Sequence, residues 1–394
     1  MVRQPHRAVI LGGGYAGIMA AQRLTAAGAQ VTLINNRNVF VERIRLHQQA
    51  VGQRIHQHPI ANLLPRANAR FVLGHVQLID AKQRRVIYSA GDRSEHVEYD
   101  TLVYTLGSMI RRSEMIADQP FVYTLGAADV AAFRQRLGEL EAGAQVVVCG
   151  GGLTGIEGAT ELAEAYPHLR VTLLTRNTIG EGLSAKGRAY LQKTFARLGI
   201  AVHEHTNVLA VNEGSLVTSR SPLPFDACLW TGGFSVPTLG RDAGIAVNER
   251  NQIIVDSYLR SVSHPDIYAA GDAAFISEHP ISIRMACATA VPMGGHAANN
   301  IAAKMAGAAQ KPFSFRYFFQ CISLGRRDAL IQWVNPDDTP REQVITGRAG
   351  AVFKEMICSV AFNTLRLERY FPGMYRIPPL KVDSRRTSIS YERL

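Results

Sequence analysis

The stretch RAVILGGGYAGIMAAQRLTAAGAQVTLINN, residues 7–36, decides the fold. A short apolar run, residues 8–11, predicts a buried strand, and the chain then turns on Gly12, Gly14 and Gly17. This G-x-G-x-x-G spacing permits a tight turn, a close approach of the backbone to a pyrophosphate and close packing of a helix on the strand. A helix over residues 15–26 would direct its positive end at that pyrophosphate, and a second strand is expected at residues 30–34. The unit therefore predicts a dinucleotide site.

The same unit occurs again in residues 144–177, AQVVVCGGGLTGIEGATELAEAYPHLRVTLLTRN. Its fingerprint is Gly150, Gly152 and Gly155, followed by an expected helix over residues 153–165 and a strand over 170–174. Each unit is closed by an apolar run that ends in threonine and glycine, YDTLVYTLGS at 99–108 and FDACLWTGGF at 225–234. This internal repeat predicts an α/β fold with two Rossmann-like dinucleotide-binding domains.

The composition is that of a globular chain, with 394 residues, 47% hydrophobic content and a formal net charge of +11. The five cysteines form no C-x-x-C pair, which argues against a zinc site or a disulfide framework and indicates a reducing, cytoplasmic compartment. No stretch reaches the roughly 18 apolar residues of a membrane span. No nucleic-acid motif occurs, and the histidines of residues 38–64 lack metal-binding spacing. The positive charge serves solubility and cofactor binding or attracts acidic partners.

The motifs GGGYAG, YTLGS, CGGGLTG, WTGGF and AAGDAA, in this order, resemble those of the two-dinucleotide-binding flavoproteins of the pyridine nucleotide-disulfide oxidoreductase superfamily. The resemblance covers residues 7–305, and the run GLTGIE at 152–157 looks most like type II NADH dehydrogenases. It implies FAD at the first fingerprint, NADPH or NADH at the second, and a hydrogen bond that Asp272 accepts from the ribitol of the flavin. It also implies an FAD-binding domain in two parts (1–112 and 243–310), an NAD(P)H-binding domain (113–242) and a C-terminal α+β domain (311–394).

The positions of the motifs give the residues expected to contact the cofactors. Those expected at FAD are Gly12, Gly14, Tyr15, Ala16, Gly17, Asn35, Asn36, Arg43, Val76, Thr105, Gly107, Asp272, Pro292 and Met293. Those expected at the nicotinamide cofactor are Gly150, Gly152, Thr154, Gly155, Thr175, Arg176 and Gly232. Asn35 stands where an acidic residue usually holds the adenosine ribose. Arg176 follows Thr175 where an NADH enzyme usually carries an acid, so the sequence favours NADPH, with stacking of Arg176 on adenine as the alternative.

The reaction implied by the resemblance uses the flavin for hydride and electron transfer. Residues 40–50, FVERIRLHQQA, contain no cysteine where disulfide reductases of the superfamily carry a redox pair, so electrons should pass from the flavin directly to an acceptor. In the resembling family the carboxylate at Glu157 lies near the nicotinamide and the flavin, although it could serve only as an acid at a helix N-terminus. Backbone amides near Pro292, Met293 and Gly294 would stabilise negative charge on the flavin.

The acceptor site departs from the family. Type II NADH dehydrogenases place two glutamines beside the flavin where quinone enters, and here those positions fall on Thr289 and Met293. Threonine can hydrogen-bond one quinone carbonyl, whereas methionine offers a weak sulfur acceptor and an adaptable apolar surface. The sequence therefore predicts slow reduction of short-chain ubiquinone and a pocket suited to a more apolar or aromatic acceptor.

Three functions remain open. The first is an FAD-dependent NAD(P)H oxidoreductase that reduces a quinone or another small acceptor. The second is a reductase of a protein carrier such as ferredoxin, which the charge of +11 would attract if the carrier is acidic. The third is a scaffold or biosynthetic flavoprotein whose NAD(P)H site is vestigial, and the intact second fingerprint argues against it.

The C-terminal region carries an amphipathic helix, expected over residues 352–371. Its apolar side could pack on the core or on a second copy in a homodimer, could form a peripheral contact with the inner face of a membrane, or could serve as a substrate lid. Residues 376–394 contain prolines and arginines and are expected to be irregular.

Overall fold

The computed structural model describes residues 4–110, 114–117, 119–126, 129–281 and 283–376. The irregular segment expected at the C-terminus lies outside these residues from position 377 onward. The amino-terminal elements alternate between parallel strands and short antiparallel ones. They are β1 (Arg7–Leu11), α1 (Tyr15–Ala26), β2 (Gln30–Asn35), β3 (Val39–Phe40), α2 (Leu46–Ala50), β4 (His58–Pro59), β5 (Ala69–Leu73), β6 (His75–Asp80), β7 (Arg85–Ala90), β8 (Arg93–Glu98), β9 (Thr101–Tyr104) and β10 (Met109–Ile110).

The middle of the chain repeats the pattern of strand, glycine turn, helix and strand. Its elements are β11 (Val122–Thr124), α3 (Asp129–Glu139), β12 (Gln145–Cys149), α4 (Leu153–Ala165), β13 (Arg170–Leu174), α5 (Ala185–Leu198), β14 (Ala201–His203), β15 (Val208–Asn212), β16 (Ser215–Thr218), β17 (Leu223–Pro224), β18 (Ala227–Trp230), β19 (Phe234–Ser235) and α6 (Leu239–Asp242).

The last third of the described chain adds two long helices and an antiparallel sheet. Its elements are β20 (Ile253–Val255), β21 (Ile267–Ala269), β22 (Ala274–Ile276), α7 (Cys287–Met305), β23 (Phe319–Ser323), β24 (Ala329–Val334), β25 (Pro340–Thr346) and α8 (Gly347–Glu368).

Two parallel five-stranded sheets form the framework, in the orders β21-β9-β1-β2-β5 and β11-β18-β12-β13-β14. Their central strands are apolar and buried on both faces, as expected for strands covered by helices on each side. β21 comes from the part of the chain after the second sheet and pairs with β9 of the first sheet. The expected α/β fold with two Rossmann-like units and a C-terminal antiparallel sheet with a helix is confirmed, whereas the exact domain boundaries stay a prediction.

The apolar segment FVLGHVQL, residues 71–78, is divided at Gly74 between β5 and β6. β5 completes the first parallel sheet, and β6 begins the antiparallel sheet β6-β7-β8. A side chain at Gly74 would meet the Ser89 carbonyl oxygen at 2.9 Å. The glycine therefore permits the close approach at which the chain changes sheet.

Helix α8 begins at Gly347, five residues before the expected start, and its C-terminal end is fixed to α1. The Gln22 side-chain amide donates to the Leu365 carbonyl at 2.7 Å. The Arg23 guanidinium forms a buried ion pair with Glu368, with Nε and Oε1 2.7 Å apart. These contacts hold the C-terminal helix across the first dinucleotide-binding unit.

Candidate active site

The first glycine turn joins β1 to α1 and is built without room for side chains at two of its glycines. Gly12 has a φ of +102°, and a Cβ there would lie 2.4 Å from the Thr105 carbonyl oxygen. A Cβ at Gly17 would lie 1.9 Å from the Gly12 carbonyl oxygen. At Gly14 a Cβ would meet nothing within 4 Å. The turn is thus tight on the protein side and open at Gly14, where a pyrophosphate would approach the positive end of α1.

The residues beside this turn fit a bound cofactor. Asn35 accepts a hydrogen bond on Oδ1 from the Gly13 amide at 2.9 Å and donates to the Arg37 carbonyl at 2.8 Å, so its side chain holds the loop. Tyr15, the first residue of α1, has a buried hydroxyl without a hydrogen-bond partner among the described residues. Burial raises the pKa of Tyr15 well above its usual value, so the hydroxyl stays a donor that lacks an acceptor. A bound cofactor would supply one.

A second group of polar residues meets at the carboxyl ends of β9 and β21. Asp272 accepts a hydrogen bond from the Ser108 hydroxyl at 2.7 Å and lies 3.6 Å from an Arg43 guanidinium nitrogen. Arg43 also donates to the Ser108 carbonyl. Gly107, with a φ of +69°, makes the turn that brings Ser108 to Asp272. The structure therefore brings Arg43, Gly107 and Asp272 together as expected and adds Ser108, the last residue of the YTLGS motif.

Other residues expected at FAD are more dispersed. Ala16 is buried beneath α7, and a Cβ at Gly294 would collide with its backbone. Val76 is buried in β6, and Asn36 is exposed after β2. Their contacts with a cofactor stay predictions.

The second glycine turn is built in the same way as the first. Gly150 has a φ of +127°, and a Cβ at Gly155 would lie 1.8 Å from the Gly150 carbonyl oxygen. The Thr231 hydroxyl donates to the Cys149 carbonyl at 3.0 Å, just as the Thr105 hydroxyl donates to the Leu11 carbonyl at 2.7 Å. Gly152, like Gly14, is open within 4 Å. The two turns therefore offer the same kind of pyrophosphate cradle.

The end of β13 carries the residues expected at the adenosine of the nicotinamide cofactor. Thr175 is buried, and its hydroxyl accepts a hydrogen bond from the Asn177 amide at 3.3 Å. Arg176 is exposed, and no ion pair involves it among the residues that the structure describes. Its guanidinium is therefore available to an anionic ligand. Thr154 lies in the first turn of α4, and Gly232 follows Thr231 at the end of β18.

Helix α7 corrects the register expected for the amides beside the flavin. The helix starts at Cys287 after an extended N-cap at Ala286, so its unbonded amides belong to the first turn. Pro292, Met293 and Gly294 lie further along the helix, and proline has no N–H. The positive end of α7 is therefore at Cys287 and the exposed Ala288, more than one turn earlier than the sequence reasoning placed it.

The structure does not present Thr289 and Met293 to an acceptor. The Thr289 hydroxyl donates to the carbonyls of Arg284 and Ala286 at 2.7 and 2.8 Å, and Thr289 is 1% exposed. Met293 is 0% exposed. Both side chains lie on the buried face of α7, and the exposed position in this turn is Ala288, one residue before Thr289. Their predicted role at the acceptor has no support in this geometry.

Glu157, in the second turn of α4, is held by the C-terminal region. Its Oε1 accepts a hydrogen bond from the Ser323 amide at 2.9 Å and forms an ion pair with Lys354 of α8. Burial, the largest single influence, would raise the pKa of Glu157, but the Lys354 charge, the nearby His47 and the hydrogen bonds from Lys354 and Ser323 together lower it. Burial likewise opposes the charge on Lys354, and Glu157 raises the pKa of that ammonium. Both groups are therefore charged near neutral pH, and Lys354 is the functional candidate that sequence reasoning missed.

Behind this ion pair lies a buried histidine flanked by two carboxylates. His47 places Nδ1 3.5 Å from Glu157 and Nε2 4.0 Å from Glu161, and burial lowers its pKa to about 4. Burial raises the pKa of Glu161 to about 7, and the neighbouring Glu164 adds to the shift. The Gln53 side-chain amide donates to Glu161 at 2.8 Å. His47 is therefore neutral near pH 7 and only 3% exposed.

A cavity of about 520 Å³ opens beside Lys354, between α8 and the turn from β23 to β24. Its inner wall is polar or small, and its outer rim carries arginines. It is lined by Gln48, Ser323, Gly325, Arg326, Arg327, Asp328, Ala329, Arg348, Ala351, Val352, Lys354, Glu355 and Cys358. The cavity is large enough for a small aromatic molecule and contains the ammonium of the buried ion pair.

Two matching pyrophosphate cradles on two parallel sheets indicate two dinucleotide sites. Together with the family match and the similar proteins described next, they make the protein a flavoprotein NAD(P)H oxidoreductase that resembles type II NADH dehydrogenases. The chain belongs to the pyridine nucleotide-disulphide oxidoreductase family, whose sequence pattern matches residues 6–294. Membership implies binding of FAD and a nicotinamide dinucleotide. The resemblance drawn from the five motifs is thereby confirmed.

Similar proteins carry names of the same kind. An NADH dehydrogenase-like protein of Mycobacterium tuberculosis is 29% identical over 325 residues, which cover 75% of this chain and 80% of that protein. The NADH dehydrogenase-like protein YutJ of Bacillus subtilis is 27% identical over 281 residues, covering 69% and 78%. The type II NADH:quinone oxidoreductase NdhA of M. tuberculosis is 25% identical over 321 residues, covering 70% and 67%.

Solved structures share the fold over nearly the whole chain. NDH2 of Plasmodium falciparum in complex with NADH gives a TM-score of 0.78 at 15% identity, covering 94% of this chain and 99% of that one. The sulfide:quinone oxidoreductase of Aquifex aeolicus gives 0.79 at 21% identity, covering 96% and 98%. At these identities the likeness concerns the fold.

Within the described ranges, no helix has both the length and the apolar character needed to cross a membrane. Across the same residues, no three side chains of His, Cys, Asp or Glu are grouped so as to hold a metal ion.

Proposed function

We propose that the protein oxidises NADPH through FAD and passes the electrons to a quinone or another small aromatic acceptor without a redox-active disulfide. FAD, when bound, supplies hydride acceptance and electron transfer. The observation that carries the proposal is the Lys354–Glu157 ion pair, which joins the helix of the second cradle to the cavity beside α8. The name of the relative NdhA, a type II NADH:quinone oxidoreductase, supports a quinone as the acceptor.

The first cradle is the proposed FAD site. Its open position at Gly14 would face the pyrophosphate, and the buried Tyr15 hydroxyl would find an acceptor in the cofactor. Asp272, oriented by Ser108 and partly neutralised by Arg43, would accept hydrogen bonds from the hydroxyls of the ribityl chain.

The second cradle is the proposed NADPH site. Thr175 at the end of β13 brings no negative charge, and the exposed Arg176 next to it can pair with a 2′-phosphate. NADH lacks that phosphate and would gain less from Arg176.

The cavity beside α8 is the proposed acceptor site. Reduction of a quinone to a hydroquinone needs two protons, and Lys354 is a charged donor on the cavity wall. Glu157 keeps the ammonium charged and fixes its direction, and Ser323 fixes the carboxylate through its amide. Proton donation by a positioned side chain accelerates such steps by about a hundredfold or more.

The exposed side of α8 is proposed to carry the protein's contact with a membrane surface. Apolar side chains recur there at helical spacing, with 71% of Val352, 50% of Met356 and 53% of Val360 exposed. The alternative is a homodimer that buries the same stripe. A cytoplasmic protein attached peripherally to the inner face of a membrane would meet a lipid-soluble quinone there.

The test is an anaerobic assay with NADPH and 2-methyl-1,4-naphthoquinone, carried out with the wild type, Lys354→Met and the control Arg220→Met. The wild type should form one hydroquinone per NADPH consumed. Lys354→Met should slow the reoxidation of the reduced flavin about tenfold or more and leave flavin reduction by NADPH nearly unchanged. Reduction of ferredoxin in place of the quinone would overturn the proposal, and equal quinone rates in all three proteins would exclude Lys354 as the proton donor.

A further inference from the structure

The charges on the wall of the acceptor cavity do not cancel. Six charged residues line it: Arg326, Arg327, Arg348, Lys354, Asp328 and Glu355. Whether an incoming molecule meets a positive or a neutral surface depends on which of these charges already have a partner.

Both carboxylates on the wall are neutralised by cations. Asp328 pairs with Arg197 at 2.6 Å and accepts further hydrogen bonds from the Tyr190 hydroxyl and the Gly347 amide. Glu355 forms a two-pronged contact with Arg45, at 2.8 and 2.6 Å. Neither carboxylate is left to balance a cation of the rim.

The cations divide into two kinds. Lys354 is balanced by Glu157, and Arg326 donates to the Gln53 side chain at 2.6 Å while its amide bonds to Glu164. Arg327 and Arg348 are exposed and form no ion pair among the residues that the structure describes. The rim therefore carries two guanidinium groups that can turn toward a ligand.

We infer that the acceptor is an anionic aromatic molecule, whose ring occupies the cavity and whose carboxylate, sulfonate or phosphate group is bound by Arg327 and Arg348. The inference rests on the proposed function, because it takes this cavity as the acceptor site. Guanidinium groups suit such anions since their planar N–H donors match two oxygens at once. An anionic lipid headgroup would offer the same chemistry to the two arginines, so the test has to separate the two sources.

The test compares two ligands with one ring system, 1,4-naphthoquinone-2-sulfonate and the uncharged 2-methyl-1,4-naphthoquinone. Their Kd values are measured by calorimetry with the oxidised holoenzyme, in which no turnover occurs. The variant is Arg327→Ala/Arg348→Ala. The matched control is Arg93→Ala/Arg220→Ala, which removes the same charge from two exposed sites that are not in the cavity lining.

We expect the cavity variant to raise the Kd of the sulfonate about tenfold and the Kd of the methyl compound less than about twofold. The control should change neither Kd by more than about twofold. The preference of the wild type for the sulfonate should shrink between about 0.02 M and about 0.3 M salt. Equal Kd values for the two ligands in the wild type, or a sulfonate preference that survives in the cavity variant, would overturn the inference.

A second arm sediments the same proteins with vesicles of phosphatidylglycerol or of phosphatidylcholine. Loss of phosphatidylglycerol binding in the cavity variant, with an unchanged Kd for the sulfonate, would assign the arginines to lipid headgroups and overturn the inference. Arginine-dependent binding of the sulfonate without electron transfer to any quinone would keep the anion site and refute the proposed function. Quinone turnover without a sulfonate preference would keep the proposed function and refute the anion site.

Discussion

Replacing Lys354 by methionine should leave the Glu157 carboxylate buried without its counter-charge. The two side chains are 10% and 14% exposed, so water can replace the lost ammonium only in part. Removing one partner of a buried pair costs about 3–5 kcal/mol. We expect about 3 kcal/mol for Lys354→Met, at the lower end, because Glu157 keeps the hydrogen bond from the Ser323 amide and some solvent contact.

The assay is denaturant unfolding of the holoenzyme, followed by flavin and tryptophan fluorescence. Glu157→Gln and the double variant Glu157→Gln/Lys354→Met complete a double-mutant cycle. The double variant should lose at least about 1 kcal/mol less than the sum of the single losses, since neither charge is left alone. Losses that add within about 0.5 kcal/mol would refute the reasoning, because contacting charges would then be energetically independent.

Four further outcomes are expected. Gly14→Ala should fold, because its methyl group meets no protein atom within 4 Å, but should purify without flavin; a full complement of FAD would contradict the cradle. Arg176→Ala should lower kcat/KM with NADPH about tenfold and with NADH much less, and equal losses would assign Arg176 to stacking on adenine. Glu161 has its pKa raised by burial to about 7, so the stability it contributes is complete below about pH 4.5 and is lost as pH rises through 7. Wild type should therefore lose up to about 3 kcal/mol between pH 5 and pH 8 that Glu161→Gln does not lose, and parallel curves would exclude this role. Met293→Gln, which sequence reasoning expected to help a quinone bind, should lower the free energy of unfolding by about 2 kcal/mol, since it buries an amide in the core; an unchanged stability with faster quinone reduction would reinstate the original interpretation.

The sequence predicted best what neighbouring residues decide. The glycine turns and the helices that follow them depend on spacing within about 30 residues, and α1 and α4 begin and end where the pattern placed them. The motifs that close the two units, at residues 99–108 and 225–234, were recognisable because one repeats the other. Thr105 and Thr231 support the two turns in the same way.

The sequence motifs predicted neither contacts between distant parts of the chain nor the buried face of α7. Lys354 reaches Glu157 from a helix 197 residues further along the chain, and nothing local to either residue indicates the pair. The burial of Thr289 and Met293 on α7 could not be predicted, because each residue along a helix turns the side chain by about 100° and the sequence does not show which face packs on the core.

The cofactors held by the two cradles are proposed to carry electrons from NADPH to a small acceptor. An anaerobic titration of the purified holoenzyme, followed at about 450 nm, tests this proposal most directly. One equivalent of NADPH should bleach the flavin, and one equivalent of 2-methyl-1,4-naphthoquinone should then restore the oxidised spectrum. A flavin that stays oxidised with excess NADPH and NADH would contradict the account.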